Sequence, residues 1–356
     1  MKQKFAAVLA VLLATGVVLS GCGGSGAALS APASSMPGSA APSPVPAGDA
    51  ITIKVAHVSQ EGVPIDRAMH KLSEMLAERS GGSIQLDIYA ASALGNNREL
   101  LEQLQLGSLE MAISSVAFLG GFTDSTGLLD LPYLFENNKA AEEVLDGEVG
   151  QSIFAQLDKS GFIGLAWLDT GWRHLTANDE IRTPEGMKGK KIRVMENQMH
   201  IDAWNALGAS ATPMAFSEVY TALQNGTIDC QENPYANING NRLNEVQKYI
   251  IETGHIYDTS PLLASKIFWE QLSADQQELI RECVAETLVW EREISIEDQD
   301  TLRKQMQDNG KNVVVQLSSE ERAAFRAAVQ SVYDKYADKI GPDLIAGVEE
   351  INRKYA

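Results

Sequence analysis

Apolar and polar positions follow two rhythms along the chain, and each change of rhythm marks an element. Ile51 to Val55 predicts a strand. Residues 64–80 place Ile65, Met69, Leu72 and Leu76 at helical spacing and stop before Gly81-Gly82. Ile84, Leu86 and Ile88 return to the period of two of a half-buried strand. A helix from about Asn97 to Leu106 ends at Gly107, and the strand-like LEMAIS follows. Further on, FIGLAWL and KIRVM read as strands. Helices are expected from near Asn197 to Gly208 and from near Ser217 to Asn225-Gly226, each with a capping residue in front and a permissive one behind. This alternation predicts α/β layers rather than a bundle or a sandwich. The two halves share the style without sharing a sequence repeat.

From Ser273 to about Asn309 there is neither Gly nor Pro, and Ser273 with Gln276 forms a capping-box pattern. A single helix here would run on the order of 50 Å, at ~1.5 Å per residue, and reach across two domains. A break near residues 294–298 would give two helices instead. Beyond residue 50 lie about three hundred residues, enough for two ordinary domains.

The first 49 residues follow neither rhythm. Lys2 and Lys4 precede an apolar run from Phe5 to Leu19, shorter than the about 20 residues a bilayer span needs. This is the form of a secretory signal. The run closes on Leu19-Ser20-Gly21-Cys22, which resembles a bacterial lipoprotein signal and implies a lipidated Cys22 as the mature N-terminus. The alternative is a plain signal with an incidental cysteine. Residues 23–49 are nearly all Gly, Ala, Ser and Pro, with too little apolar surface to offset ordering, so a flexible tether is expected.

A net charge of −18 without a basic cluster excludes a nucleic-acid partner and general adhesion to anionic lipid. An anionic ligand would need a few placed arginines acting against the overall field. Cys230 and Cys283 are open to an exported disulfide or to free burial, the latter the commoner fate of a helical cysteine such as Cys283.

Three short segments concentrate the chemistry. In Gly171-Trp172-Arg173-His174, Arg173 follows a buried-looking strand. In Lys188-Gly189-Lys190-Lys191-Ile192-Arg193-Val194, Arg193 faces opposite to Ile192 and Val194. An arginine on a core strand requires an anionic partner or a wet cleft, and its planar fork suits a carboxylate. In Gln231-Glu232-Asn233-Pro234, the proline holds Asn233 extended, with its amide free to project as donor and acceptor. Each feature alone also has an ordinary structural reading: an internal ion pair, a turn, a packed histidine. The histidines, His57, His70, His174, His200 and His255, lack metal-ligand spacing. Nucleophile-elbow, phosphate-loop and dinucleotide motifs are missing too, which argues against a secreted hydrolase or metalloenzyme and implies no cofactor.

Taken together, LGASATPMAFSEVYTALQNGTIDCQENP within 188–234, SALGNNRELLEQLQLGSLEMA at 92–112 and GWRHLTAND at 171–179 closely resemble the DctP-type solute-binding proteins of TRAP transporters. The resemblance covers essentially all of 50–350. It implies a periplasmic-binding-protein-like fold, with two α/β lobes around a ligand cleft and a long helix crossing both. The implied lobes are 50–170 with 259–297, and 171–258 with 298–356.

The function implied is non-enzymatic: an organic carboxylate is handed to membrane permease subunits driven by an ion gradient. A ligand-sensing partner of a membrane receptor would share the same site. Arg193 and Arg173 correspond to the family's carboxylate-binding arginines, Asn233 to its asparagine and Phe216 to its cleft aromatic. Asn97, Ser115 and the segment around His57 fall where relatives contact the rest of the ligand. Cys230 stands where glycine is expected. Ser115 and Glu196 occupy positions where relatives differ, and Glu196 either accepts from ligand hydroxyls or faces solvent. Trp172, Phe216 and Tyr235 either stack on a ring or belong to the core. The ligand classes implied are sugar acids and C4-dicarboxylates, with hydroxylated monocarboxylates favoured.

Overall fold

The computed structural model describes residues 50–356. The signal segment, the tether and Cys22 lie outside the described residues. In chain order the first elements are β1 (Ile51–His57), α1 (Pro64–Arg79), β2 (Ile84–Tyr89), α2 (Asn97–Leu106) and β3 (Met111–Ile113). Then come α3 (Asn138–Asp146), α4 (Glu148–Lys159), β4 (Phe162–Trp172), β5 (His174–Ala177), β6 (Lys191–Val194) and α5 (Gln198–Ala206). Next are β7 (Ser210–Pro213), α6 (Val219–Gln224), β8 (Cys230–Asn233), α7 (Tyr235–Gly240), β9 (Tyr249–Glu252) and β10 (Tyr257–Ser265). The chain finishes with α8 (Lys266–Trp269), α9 (Ala274–Asp308), β11 (Val313–Gln316), α10 (Ser319–Ala328), α11 (Gln330–Ile340) and α12 (Pro342–Tyr355).

The strands form two sheets, ordered β2-β1-β3-β10-β4 and β11-β9-β5-β8-β6-β7. In the first, β1 runs parallel to β2 and β3, while β10 is antiparallel to β3 and β4. In the second, β5 is antiparallel to β8 and β9, and β6 is parallel to β7 and β8. The chain passes from one sheet to the other between β4 and β5, where Arg173 alone separates the strands, and returns between β9 and β10. The Arg173 amide donates to the Ile256 carbonyl at 2.8 Å, tying the two passages together.

Local chemistry explains several element ends. Asn197 caps α5 by accepting from the Met199 and His200 amides. Ser273 and Gln276 form the expected reciprocal box, and Asn96 with Glu99 forms another at α2. Gly107 ends α2 at φ 70°, a conformation glycine adopts without steric cost. Ser217 is different: it lies inside the 3-10 turn Phe216–Glu218 and caps nothing, because that turn carries the chain directly into α6.

Helix α9 is one unbroken element of 35 residues. Its first part binds the first sheet's layer: Arg79 forks onto Glu286, and Arg67 pairs with Asp298 at 2.6 Å. Beyond that, Arg303 donates twice to Glu252 on β9 of the second sheet. The helix therefore spans both layers. The terminal helices touch both layers, with Tyr336 on α11 donating to Asp202 on α5 at 2.6 Å. Strand β11 does extend the second sheet, but Tyr333 donates to the Pro132 carbonyl and Asn352 to the Leu134 carbonyl. Tyr355 and Lys354 likewise bind Glu143 on α3, so α11 and α12 clasp segments between β3 and β4. Cys230 and Cys283 are free, buried thiols, and burial pushes Cys230 up to about 12.

Where α9 crosses β4, the Glu291 carboxylate accepts from the Asp169 amide at 3.0 Å and the Ser295 hydroxyl donates to the Asp169 carbonyl. Both carboxyl groups are buried, and burial raises Asp169 from 3.8 to about 6 and Glu291 well above its ordinary range. A folded state that binds this proton more tightly than the unfolded chain loses stability as pH rises from about 4 to about 6. Asp169→Asn removes that loss. The variant is expected to exceed the parent in stability at about pH 8 by on the order of 1–3 kcal/mol, converging near pH 4. Urea unfolding at both pH values tests it; a variant no more stable at the higher pH defeats the account.

Candidate functional site

A narrow cavity of about 30 Å³ lies between the sheets. The second sheet and its connections supply Arg193 from β6, Phe216 from the turn before α6 and Asn233 from β8. The first supplies His57 from the end of β1, Asn97 from the start of α2 and Ser115 just after β3. Arg173 lines it from the passage between the sheets. Seven of the expected site residues thus share one cavity.

Arg193 is 1% exposed, and the described residues offer it no carboxylate within ion-pair distance. Its Nε and Nη2 donate to the Met214 carbonyl at 3.0 and 2.8 Å. Its Nη1 makes no hydrogen bond to a described residue. The guanidinium lies 5.6 Å from the Phe216 ring centroid, within cation–π distance. Burial, with Arg173 nearby, lowers its pKa to about 10, so it keeps its charge at neutral pH.

Arg173 is also 1% exposed, but its donors are taken. Nε binds Glu232 Oε2 at 2.5 Å, Nη2 binds Glu232 Oε1 at 2.9 Å, and Nη1 binds Asp258 Oδ2 at 2.5 Å. Burial alone would lower its pKa; the two carboxylates reverse that. Burial likewise favours the neutral acid at Glu232, yet Arg173 and His255 hold it far below the carboxylate range. His255 Nε2 stands 3.0 Å from Glu232, and burial keeps the pKa of His255 below its ordinary value. The expected pair of ligand-facing arginines is therefore asymmetric: one is neutralised by the protein, and one is not.

Asn233 is held by its own segment, donating to Gln231 Oε1 at 2.5 Å, while Ser115 donates to Asp258 Oδ1 at 3.0 Å. Glu196 lies elsewhere. It sits just past the end of β6, where it pairs with Arg98 Nε at 3.0 Å and lines a larger hollow of about 480 Å³. Trp172 and Tyr235 are packing residues: Trp172 donates to Asn138 and meets Tyr257 edge-on, and Tyr235 is buried with its hydroxyl on Glu252. Sequence reading missed Asp258, Thr170, Ser260, Asn237 and Ser59, which are also polar residues of the lining. An acidic residue inside the otherwise buried run 257–265 was the available signal for Asp258. Among the described residues, clusters able to hold a metal are absent, and no helix is long and apolar enough to cross a membrane.

Two sheets joined by paired passages, with a polar cavity between them and one uncompensated guanidinium inside it, define a cleft-type solute-binding protein. The chain belongs to the bacterial extracellular solute-binding proteins, family 7 (DctP), whose model matches residues 55–339, and it is a solute-binding protein of the TRAP class. It is 34% identical over 308 residues to the C4-dicarboxylate-binding periplasmic protein DctP of Rhodobacter capsulatus, covering 86% of this chain and 92% of that protein. The sugar acid binding protein DctPAm of Advenella mimigardefordensis, solved in complex with galactonate, superposes with a TM-score of 0.84 at 31% identity, over 86% of this chain and 99% of that one. A TRAP periplasmic solute-binding protein of Shewanella oneidensis with bound succinate gives 0.83 at 29% identity, over 85% and 99%.

Proposed function

We propose that this protein captures a small organic carboxylate in the cavity between its sheets, closes two lobes around it and delivers it to TRAP permease subunits without chemical change. The observation that carries the reading is Arg193: a buried, charged guanidinium with Nη1 unused, lining the cavity between the two sheets. The carboxylate completes the fork, and the Asn233 amide adds a further contact. A ligand touching residues from both sheets stabilises the closed arrangement by binding it better than the open one. Arg173 orders Glu232 and Asp258 at the passage and contributes field rather than its fork.

The Cys22 reading places the protein outside the cytoplasmic membrane on a lipid anchor, with residues 23–49 as tether. Cys22→Ala is then expected to move the protein from the membrane fraction to the soluble extracytoplasmic fraction; unchanged partitioning removes the anchor.

A thermal-shift screen of the protein against organic acids and their amide or alcohol counterparts tests the capture reading. Binding to the native state alone raises the melting temperature, by about 2.7 kcal/mol of stabilisation at a ligand concentration one hundred times Kd. A shift given by an acid, absent for its uncharged counterpart and lost in Arg193→Ala, is the expected result. Equal shifts from acid and amide would overturn it.

A further inference from the structure

Helix α10 carries Arg322 and Arg326 one turn apart on an exposed face. Most described arginines stand within ion-pair distance of a carboxylate; these two do not. Arg322 donates from Nη2 to the Gly254 carbonyl at 3.2 Å, and the Arg326 fork has no hydrogen-bond partner among the described residues. In a chain of net charge −18, a neighbouring pair of unanswered cations is an exception that calls for an anion.

Both arginines line a hollow of about 230 Å³, together with Tyr133, Phe135, Glu136 and Ser319. Tyr133 is 5% exposed, and neither its hydroxyl nor that of Ser319 bonds to a described residue. The Tyr133 backbone stands at φ 60°, unusual for a bulky residue, and its amide donates to the His255 carbonyl at 2.6 Å. The Arg322 guanidinium lies 5.8 Å from the Tyr133 ring centroid and 5.9 Å from that of Trp172. The hollow therefore lies beside the paired passages between the sheets, since Gly254 and His255 belong to the return passage and Trp172 ends β4.

Donors outnumber acceptors here: two guanidinium groups and two hydroxyls face one exposed carboxylate, Glu136. We infer that this hollow is a second anion site, which takes a small phosphate-like dianion. Such an ion answers both positive charges and has enough oxygens for all four donor groups; a monocarboxylate has neither. The site is separate from the cavity of Arg193, because the two linings share no residue. It stands independently of the carboxylate-capture reading.

Calorimetric titration with inorganic phosphate at about pH 8, where the ion is doubly charged, tests the site against chloride at matched ionic strength. Phosphate should bind the parent and Arg193→Ala equally. The double variant Arg322→Ala/Arg326→Ala should bind it about tenfold more weakly or worse. Glu136→Gln, which clears the rim of its like charge, should bind it more tightly. Both arginines are exposed on a helix that alanine favours, so melting temperatures without phosphate should match the parent. A double variant that binds phosphate as the parent does, or chloride that binds as well as phosphate, overturns the site. Loss of phosphate binding in Arg193→Ala would put the anion in the cavity between the sheets and overturn it too.

Discussion

Arg193→Ala should weaken binding of the ligand by about 3–5 kcal/mol, several hundredfold or more in Kd. The expectation follows from desolvation. The guanidinium is buried, it has no described carboxylate partner, and Phe216 and the Met214 carbonyl already fix its plane. A ligand carboxylate entering the cavity gives up water and receives in return mainly what this fork supplies. Arg193→Lys should recover little, because a single ammonium reproduces the charge but not the two parallel donors. Calorimetric titration measures both variants, with melting temperatures to show that the fold survives. Near-wild-type affinity in the alanine variant would remove Arg193 from the site.

Arg173→Ala should act on stability first, lowering the free energy of unfolding by about 3–5 kcal/mol. Two carboxylates, Glu232 and Asp258, would lose the cation that justifies their burial, with only His255 left beside Glu232. The sign of the pH dependence follows. In the parent, Glu232 is held below its unfolded value, so its contribution is present above about pH 4.5 and fades as pH falls. In the variant the orphaned carboxyls take up protons more readily, so the deficit should narrow toward acid pH. Guanidinium denaturation at two pH values is the measurement. A variant of normal stability that loses only ligand affinity would reassign Arg173 to direct ligand contact. The two arginines, twenty positions apart and alike in burial, are thus expected to fail in different ways.

Much of this protein was legible before folding. The changes of hydrophobic period located α1, α2, β2 and β6, because burying one face imposes its own repeat on each element. The capping box at Ser273 and the absence of Gly and Pro up to Asn309 predicted the span of α9, since helix ends and helix continuity are local properties. Arg193 was conspicuous for a similar reason: a charge between two core residues on a strand must be answered by something. The extended conformation of Asn233 followed from Pro234.

What the chain order could not reveal was who answers whom. Glu232 lies 59 positions from Arg173 and Asp258 lies 85 positions from it; they meet only because the chain passes between the sheets and comes back beside itself. Glu196, three residues after Arg193, could equally accept from a ligand or face solvent, and just past the end of β6 it pairs with Arg98. Trp172 and Tyr235 offered rings for a ligand, and packing spent them on the core. The destination of α11 and α12 was equally hidden, since their amphipathic faces fit any apolar surface. Local periodicity and capping depend on neighbours in sequence, so the sequence by itself determined the elements, the two candidate arginines and the net acidity. Pairing and burial depend on neighbours in space, so only the tertiary structure decided which arginine the protein neutralises and which it leaves without a carboxylate partner among the described residues.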